Sequence, residues 1–223
     1  MADYEEQTAS GKLAGFIEKK KTVFITILVV IICLLIGYVI FASVSDKNKA
    51  KGLQAIDEIT FEMTDKSSGL SDEEISARLS TALDKAAAYT SKGGIVGARA
   101  NMLCADITYQ QKKYAESAEF WKAAAEKSKK SYIAPLCYYN LASCYEEAGK
   151  NDDAATYYKL AADNNSFVMR THAMFSYGRL LEAKGDYATA ASAYTELNDN
   201  FSDDSWANLA KSRLLALKKD GKI

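Results

Sequence analysis

The sequence predicts an all-α protein, with one N-terminal transmembrane helix followed by an α-solenoid of helix-turn-helix repeats. Three observations predict this fold class. Residues 22–42 contain no charged residue, a related segment recurs at nearly fixed spacing after residue 100, and alternating β-branched stretches are missing outside residues 22–41. With 223 residues, 48% of them hydrophobic, and one proline, the chain can build one helical domain and a small additional element.

The apolar run at residues 22–42 has the length of a membrane-spanning helix. At about 1.5 Å per residue it covers roughly 30 Å, the thickness of the hydrocarbon layer of a bilayer. A cleavable signal peptide is the alternative, because Ser43-Val44-Ser45 loosely resembles a cleavage site. The run exceeds the roughly 7–15 apolar residues usual in a signal peptide, and a charged leader precedes it. The pattern therefore favours a retained anchor over cleavage near Ser45.

Lysines near the two ends of this run indicate its orientation. Four precede it and three follow it: Lys12, Lys19, Lys20 and Lys21, then Lys47, Lys49 and Lys51. Positive charge accumulates on the cytoplasmic side of membrane helices. We therefore expect residues 1–21 to form a short cytoplasmic tail, residues 22–43 the anchor, and the C-terminal part to be translocated across the membrane.

Two amphipathic helices are predicted between the anchor and the repeats. One covers residues 46–65, and the other covers residues 71–90, which begin with Ser71 and Glu74 at the spacing of a capping box. We expect residues 44–97 to form a linking helix and an irregular helical hairpin, ending in a linker that contains Gly93, Gly94 and Gly97.

The repeat becomes visible on self-comparison. Residues 174–197 align with residues 138–161 at an offset of 36, and a fainter copy at residues 101–124 precedes the second by 37. The aligned columns hold a turn residue, a small residue and an aromatic residue: Lys112, Gly149 and Gly185; Ser117, Ala154 and Ala190; Trp121, Tyr158 and Tyr194. Three units at nearly fixed period predict a solenoid of helix pairs over residues 98–202, closed by a capping helix within residues 203–223.

The small and aromatic columns have a packing interpretation. A small residue followed four positions later by an aromatic residue lets two helices approach closely and then fills the gap above the contact. The three cysteines of this region, Cys104, Cys137 and Cys144, are expected to be buried free thiols. Cys137 and Cys144 lie seven residues apart on one helix, roughly 10 Å by helical rise, which is too far for a disulfide.

These residues resemble the tetratricopeptide repeat family. The best matches are Leu141-Ala142, Tyr177-Gly178, Gly185-Asp186-Tyr187 and Ala190. The usual unit has about 34 residues, so the longer spacing implies longer connections, and the closing proline of the family pattern is absent. The resemblance implies a solenoid of the kind that binds proteins. Such repeats indicate the fold, and they do not identify a particular function.

Catalysis, cofactors and nucleic acid find little support in the sequence. There is one histidine, His172, and no phosphate-binding loop, dinucleotide fingerprint or nucleophile elbow occurs. No Cys/His cluster has the spacing of a metal site. The net charge of −1 argues against a nucleic-acid surface. We therefore predict a protein that is not an enzyme, with no catalytic residue, cofactor, metal or nucleic-acid partner.

The first helix of each repeat lines the concave side of such a solenoid. If the family alignment holds, the partner-binding groove consists of ten residues: Arg99, Met102, Asp106, Tyr109, Tyr139, Ser143, Glu146, His172, Phe175 and Arg179. Among these, Met102, Tyr109, Tyr139 and Phe175 would form a patch suited to an apolar peptide.

The layout of a short tail, one anchor, a bridging helix and a divergent repeat domain is similar to that of the YfgM family, ancillary subunits of the bacterial SecYEG translocon. This resemblance implies a protein of the bacterial inner membrane whose repeats are periplasmic. Contact with the lipid bilayer is expected through residues 22–42, as the apolar run itself predicts. The resemblance also implies protein partners, namely translocon components, unfolded client chains or periplasmic chaperones. Two alternatives remain: a scaffold of another cell-envelope complex, in division or outer-membrane assembly, and a docking receptor facing the cytoplasm.

Overall fold

A computed structural model describes residues 16–223, and they contain helices and no strand. Residues 1–15, which include most of the predicted cytoplasmic tail and Lys12, lie outside the described part. The described residues form nine α-helices longer than two turns: α1 Lys21–Thr64, α2 Asp72–Thr90, α3 Gly94–Gln110, α4 Tyr114–Lys127, α5 Ala134–Glu147, α6 Asn151–Ala162, α7 Arg170–Lys184, α8 Tyr187–Asn200 and α9 Ser205–Lys219. The chain divides after Lys51 into two units.

The N-terminal unit contains the apolar half of α1. This is the one helix in residues 16–223 that is long and apolar enough to cross a membrane, judged by length and composition. Its large apolar side chains are exposed along the whole run, as shown by Leu34 at 68% and Phe41 at 72%.

Helix α1 continues without a break to Thr64, so residues 46–64 are helical as predicted but do not form the separate helix that we expected at residues 46–65. The physical reason is that residues 43–51 contain neither proline nor glycine, and nothing there interrupts the i to i−4 hydrogen bonds. Gly52 follows inside the helix. A Cβ atom at Gly52 would approach Val96 of α3 to 2.8 Å, so glycine permits close contact between the two helices.

Helices α1 and α2 pack together at the start of the second unit. The capping box predicted at the N-terminus of α2 is confirmed: the Ser71 N–H donates to Glu74 Oε2 at 2.8 Å, and the Glu74 N–H donates to Ser71 Oγ at 3.3 Å. Buried residues of this hairpin meet those of α3 in one cluster that contains Ile56, Ile59, Leu79, Ala82, Ala86, Val96, Leu103, Cys104 and Ile107.

The first repeat begins earlier than its sequence suggests. Helix α3 starts at Gly94, so Gly97, which we assigned to a linker, lies inside a helix. A Cβ atom at Gly97 would lie 1.7 Å from the carbonyl oxygen of Lys92. Glycine at this position therefore reflects the close approach of the preceding turn, and it does not mark flexibility.

Three turns of the same geometry connect the helices within the repeats. The turn residue has positive φ in each case: 59° at Lys112, 72° at Gly149 and 88° at Gly185. In each turn the next N–H donates back across the helix end: Lys113 to Thr108 O at 2.9 Å, Lys150 to Tyr145 O at 2.8 Å and Asp186 to Leu181 O at 3.0 Å. These are Schellman bonds, which satisfy the last carbonyls of the first helices.

The small and aromatic columns fill the contact between the helices of each repeat. Ser117, Ala154 and Ala190 are completely buried, and Trp121, Tyr158 and Tyr194 are exposed by at most 4%. A Cβ atom at Gly178 of α7 would come within 2.6 Å of the Tyr194 ring, so the aromatic residue packs directly on the backbone of the first helix. Cys104, Cys137 and Cys144 are buried free thiols, as predicted.

Helix α9 packs against both α8 and α7 and completes the last cluster through Ala207, Ala210 and Leu217. Leu209 lies on the opposite, solvent-facing part of this helix and is 47% exposed.

Candidate functional site

The ten predicted groove residues lie on α3, α5 and α7, the first helices of the three repeats. They recur at the repeat offset. Met102, Tyr139 and Phe175 occupy one column, and Asp106, Ser143 and Arg179 occupy the next. The columns lie four residues apart, so they share a face on each helix.

Polar side chains of this face bond from one first helix to the next. The Tyr109 hydroxyl lies 3.3 Å from Ser143 Oγ, and the Tyr139 hydroxyl lies 2.6 Å from Nδ1 of His172. The Arg179 guanidinium donates to both carboxylate oxygens of Glu146, at 2.7 and 2.8 Å. These bonded pairs are 33 or 34 residues apart in sequence. We call the set the inter-repeat ladder.

The ladder continues beyond the residues that the sequence suggested. At its N-terminal end, Arg99 donates to Asp57 of α1 at 2.7 Å. At its C-terminal end, Arg213 of α9 donates to Glu182 through Nε at 3.0 Å, and Thr171 Oγ1 donates to Asp204 at 3.2 Å. Glu182 could have been found from the sequence, because it lies 36 residues after Glu146. No sequence signal indicated Asp57, which lies outside the repeats.

The aromatic groove residues are more enclosed than we expected. Tyr139 and Phe175 are half-buried and pack against the core of the second and third repeats. The Tyr139 ring lies 5.4 Å from the ring of Tyr158 and 5.9 Å from that of Phe167. Phe175 lies 5.7 Å from Tyr194. Both side chains therefore stabilise the fold, and replacing them with alanine would not test binding alone.

A stacked pair closes the C-terminal end of this face. The His172 ring stacks on Trp206 of α9 with 3.9 Å between the ring centroids. Burial lowers the pKa of His172, and the nearby Arg179 adds to this effect. The imidazole is therefore neutral at neutral pH, and it serves as a packing and hydrogen-bonding group.

Asp106 differs from the other polar members of the groove. Within residues 16–223 its carboxylate forms neither a hydrogen bond nor an ion pair. The side chain is exposed to solvent, yet it lies within the groove among atoms of the surrounding helices, which remove part of its hydration. This desolvation raises the pKa of Asp106 to about 6.

Chemically reactive groups are scarce in this region. Burial raises the pKa of Cys104 to about 12 and that of Cys137 and of Cys144 to about 11, so these thiols are protonated and inert at neutral pH. In the described part of the chain, no group of three or more His, Cys, Asp or Glu side chains could hold a metal ion.

A second depression lies away from the ladder, along α6 and α7. Its apolar residues are Leu160, Tyr177 and Leu181, and Leu160 is 45% exposed. Two ion pairs border it, Lys159 with Asp163 at 2.9 Å and Lys184 with Asp152 at 2.6 Å. We refer to it as the outer cleft.

Comparison with known proteins agrees with the architecture. The sequence profile of a family described as a tetratricopeptide repeat-like domain matches residues 15–220. A TPR repeat-containing protein of Treponema pallidum (strain Nichols) is 33% identical over 139 residues, which cover 62% of this chain. That alignment spans 58% of the length of the Treponema protein.

Solved structures show the same fold at low sequence identity. Nearly identical TPR-like repeats from Podosopora anserina superimpose with a TM-score of 0.55 and 11% identity, covering 76% of this chain and 86% of the other. A second crystal structure, of a single-substitution variant of those repeats, gives the same values.

Proposed function

Because this chain belongs to the tetratricopeptide repeat-like domain family, whose members are typically interaction modules, we propose that it is a single-pass membrane protein that binds other proteins. The binding surface is the partner-binding groove formed by α3, α5 and α7. The supporting observation is the combination of an exposed apolar helix with a solenoid whose first helices bond to one another through side chains of one face. Side chains such as Leu34 and Phe41 would be costly to leave in water, and a bilayer would cover them.

In its finer form, the proposal places residues 1–21 in the cytoplasm and the repeats in the periplasm of a bacterium. The partners would then be client polypeptides or chaperones beside the export translocon. The lysine distribution supports the orientation, and the layout shared with ancillary translocon subunits supports the partners. The function is binding, because most polar side chains of the described groove bond to one another and form no arrangement typical of a catalytic centre.

Protease accessibility tests the orientation. The full chain carries a C-terminal epitope, and protease is added to spheroplasts. We expect the repeat domain to be degraded while a cytoplasmic marker protein survives. If the repeats resist until the membrane is lysed, the chain faces the cytoplasm, and the docking-receptor alternative replaces this proposal.

Site-specific photocrosslinking tests the binding face. A photoreactive amino acid replaces Gln110, which is exposed on α3 one turn after Asp106. The captured probe is a radiolabelled secretory chain stalled during export. We expect an adduct from Gln110 and none from Glu126, a matched exposed position on the second helix α4. An adduct from Thr156 in the outer cleft with none from Gln110 would show that partners use the opposite side.

A further inference from the structure

The inter-repeat ladder engages most of the polar groups that the structure describes in the groove. Six of them bond to the first helix of a neighbouring repeat, and Arg99 bonds to α1: the six are Tyr109, Ser143, Glu146, Tyr139, His172 and Arg179. Such bonds fix the spacing between repeats, and a partner would have to break them to use the same groups. A polar residue that recognises a partner must therefore lie outside the ladder.

Asp106 is that residue among the predicted polar positions. Its equivalents in the second and third repeats, Ser143 and Arg179, are both bonded within the ladder. One ladder step of 33 or 34 residues, counted along the sequence from Asp106, reaches Tyr139 and Asn140 of α5. Tyr139 is engaged with His172, and the Asn140 amide donates to Leu136 O at 3.0 Å. The groups that could have completed the ladder at Asp106 are thus committed elsewhere.

The neighbours of Asp106 on α3 are apolar or aromatic. Met102 lies one turn before it and Tyr109 lies one turn after it, and both are half-buried. An incompletely hydrated carboxylate between two such side chains gains most from a cation that arrives with apolar neighbours of its own. Lysine and arginine side chains supply the cation at the end of an apolar stem.

We propose that Asp106 recognises a lysine or arginine of the bound polypeptide, and that apolar residues flanking this cation lie on Met102 and Tyr109. This inference rests on the proposed function, because it requires that the groove binds polypeptides. It adds the chemical class of the segment that is bound, namely a basic residue between apolar ones. Asp57, Glu146 and Glu182 cannot take this role, since each already neutralises an arginine of the chain.

The test uses the full chain in lipid nanodiscs, with empty nanodiscs as the blank. Three fluorescent twelve-residue peptides serve as probes. They share leucine and phenylalanine at the flanking positions and carry lysine, glutamine or glutamate at the centre. Fluorescence anisotropy measures Kd. We expect the lysine peptide to bind about tenfold more tightly than the glutamine peptide, the ratio of a modestly desolvated ion pair, and the glutamate peptide to bind most weakly.

Variants at position 106 test whether Asp106 causes the preference for the lysine peptide. In Asp106→Asn the lysine and glutamine peptides should bind equally, and Asp106→Glu should keep the preference for lysine. Asp106→Lys should reverse it, so that the glutamate peptide binds best. Glu126→Gln, at an exposed carboxylate without an ion pair in the described residues, is the matched control and should behave as the unmodified chain.

The outcomes separate this inference from the proposed function. If all three peptides bind the unmodified chain equally, the groove binds polypeptides but Asp106 does not select them, and the inference is wrong. The same holds if Asp106→Asn keeps the lysine preference. If no peptide binds and Gln110 captures no secretory chain, the proposed function fails, and the inference fails with it.

Discussion

The first repeat, α3 with α4, and the third repeat, α7 with α8, build the same turn and the same helix contact from different side chains. The first uses Lys112 where the third uses Gly185, and both have positive φ. It uses Trp121 where the third uses Tyr194, and both are buried. The backbone geometry of the repeat therefore depends on space and conformation at a few positions, and several residue types can meet these requirements.

The two repeats differ more on their groove face. In the third repeat Glu182 accepts from the Tyr194 hydroxyl at 3.0 Å and from Arg213, so its polar groups are used within the fold. In the first repeat Asp106 has no such partner within residues 16–223. The comparison suggests that the third repeat serves stability and the first repeat offers an open polar contact.

The largest expected effect comes from removing the buried aromatic residue. Tyr194→Ala should lower the free energy of unfolding by about 3–5 kcal/mol, because a completely buried ring is lost and Glu182 loses a hydrogen bond. Urea denaturation of the full chain followed by circular dichroism measures this change. Trp121→Ala should cost a similar amount if the two columns are equivalent. Tyr132→Ala, at an 83% exposed side chain, should change stability by less than about 0.5 kcal/mol.

A smaller loss is expected from overfilling the helix contact. Ala190→Leu adds volume where α7 and α8 pack with no free space, and we expect a cost of about 1–3 kcal/mol. Ala188→Leu is the matched control, because Ala188 is exposed on the same helix. Equal unfolding midpoints for the two variants would contradict the packing role of the small column.

Much of this fold could be predicted from the sequence, because patterns that are weak in one repeat occur again at equivalent positions of the others. The pattern of Gly149 and Gly185 with the small and aromatic columns identified the helix pairs and their turns. The continuation of α1 to Thr64 could not be predicted as readily, because the pattern changes from uniformly apolar to amphipathic while the helix persists. Amphipathicity reports what a helix packs against, and it does not report where the helix begins.

The sequence predicted which residues lie on the groove face. It did not predict which of them form hydrogen bonds or ion pairs. The repeat offset indicates which residues share a face, and the structure brings them together. Whether Glu146 is free or bonded depends on Arg179, which lies 33 residues later on α7, and this pairing depends on how the two repeats pack against each other. Asp106 became distinctive only when the bonds of its neighbours were known.

Substitutions at the turn residues should change the free energy of unfolding by about 1 kcal/mol. Lys112 has a φ of 59°, which is unfavourable for a residue with a side chain, so Lys112→Gly should raise the free energy of unfolding by up to about 1 kcal/mol. Gly185→Ala should lower it by a comparable amount, since Gly185 has a φ of 88°. Thermal unfolding of both variants measures the two shifts. Shifts of the same sign would show that the turns are not equivalent.

The smallest expected effect is the loss of stability caused by the ionised carboxylate of Asp106 in the first repeat. Desolvation raises the pKa of Asp106 to about 6 in the folded chain, whereas an aspartate of the unfolded chain titrates near about 4. Between these values the folded state binds more protons than the unfolded state, so the contribution of Asp106 to stability falls as pH rises from about 4 to about 6. The charge of Asp106 influences the thiols of Cys137 and Cys144 on α5, but these thiols stay protonated in this range and do not alter the sign.

Replacing this carboxylate with an amide measures that cost. Asp106→Asn cannot ionise, so it should be more stable than the unmodified chain above pH 6 and equally stable below pH 4. Because solvent screens the exposed side chain, we expect a difference of about 1 kcal/mol or less. Urea midpoints of both proteins across this range give the difference, in which the titration of other carboxylates cancels. A variant that is less stable at neutral pH would show that Asp106 stabilises the first repeat, and the contrast with the third repeat would then disappear.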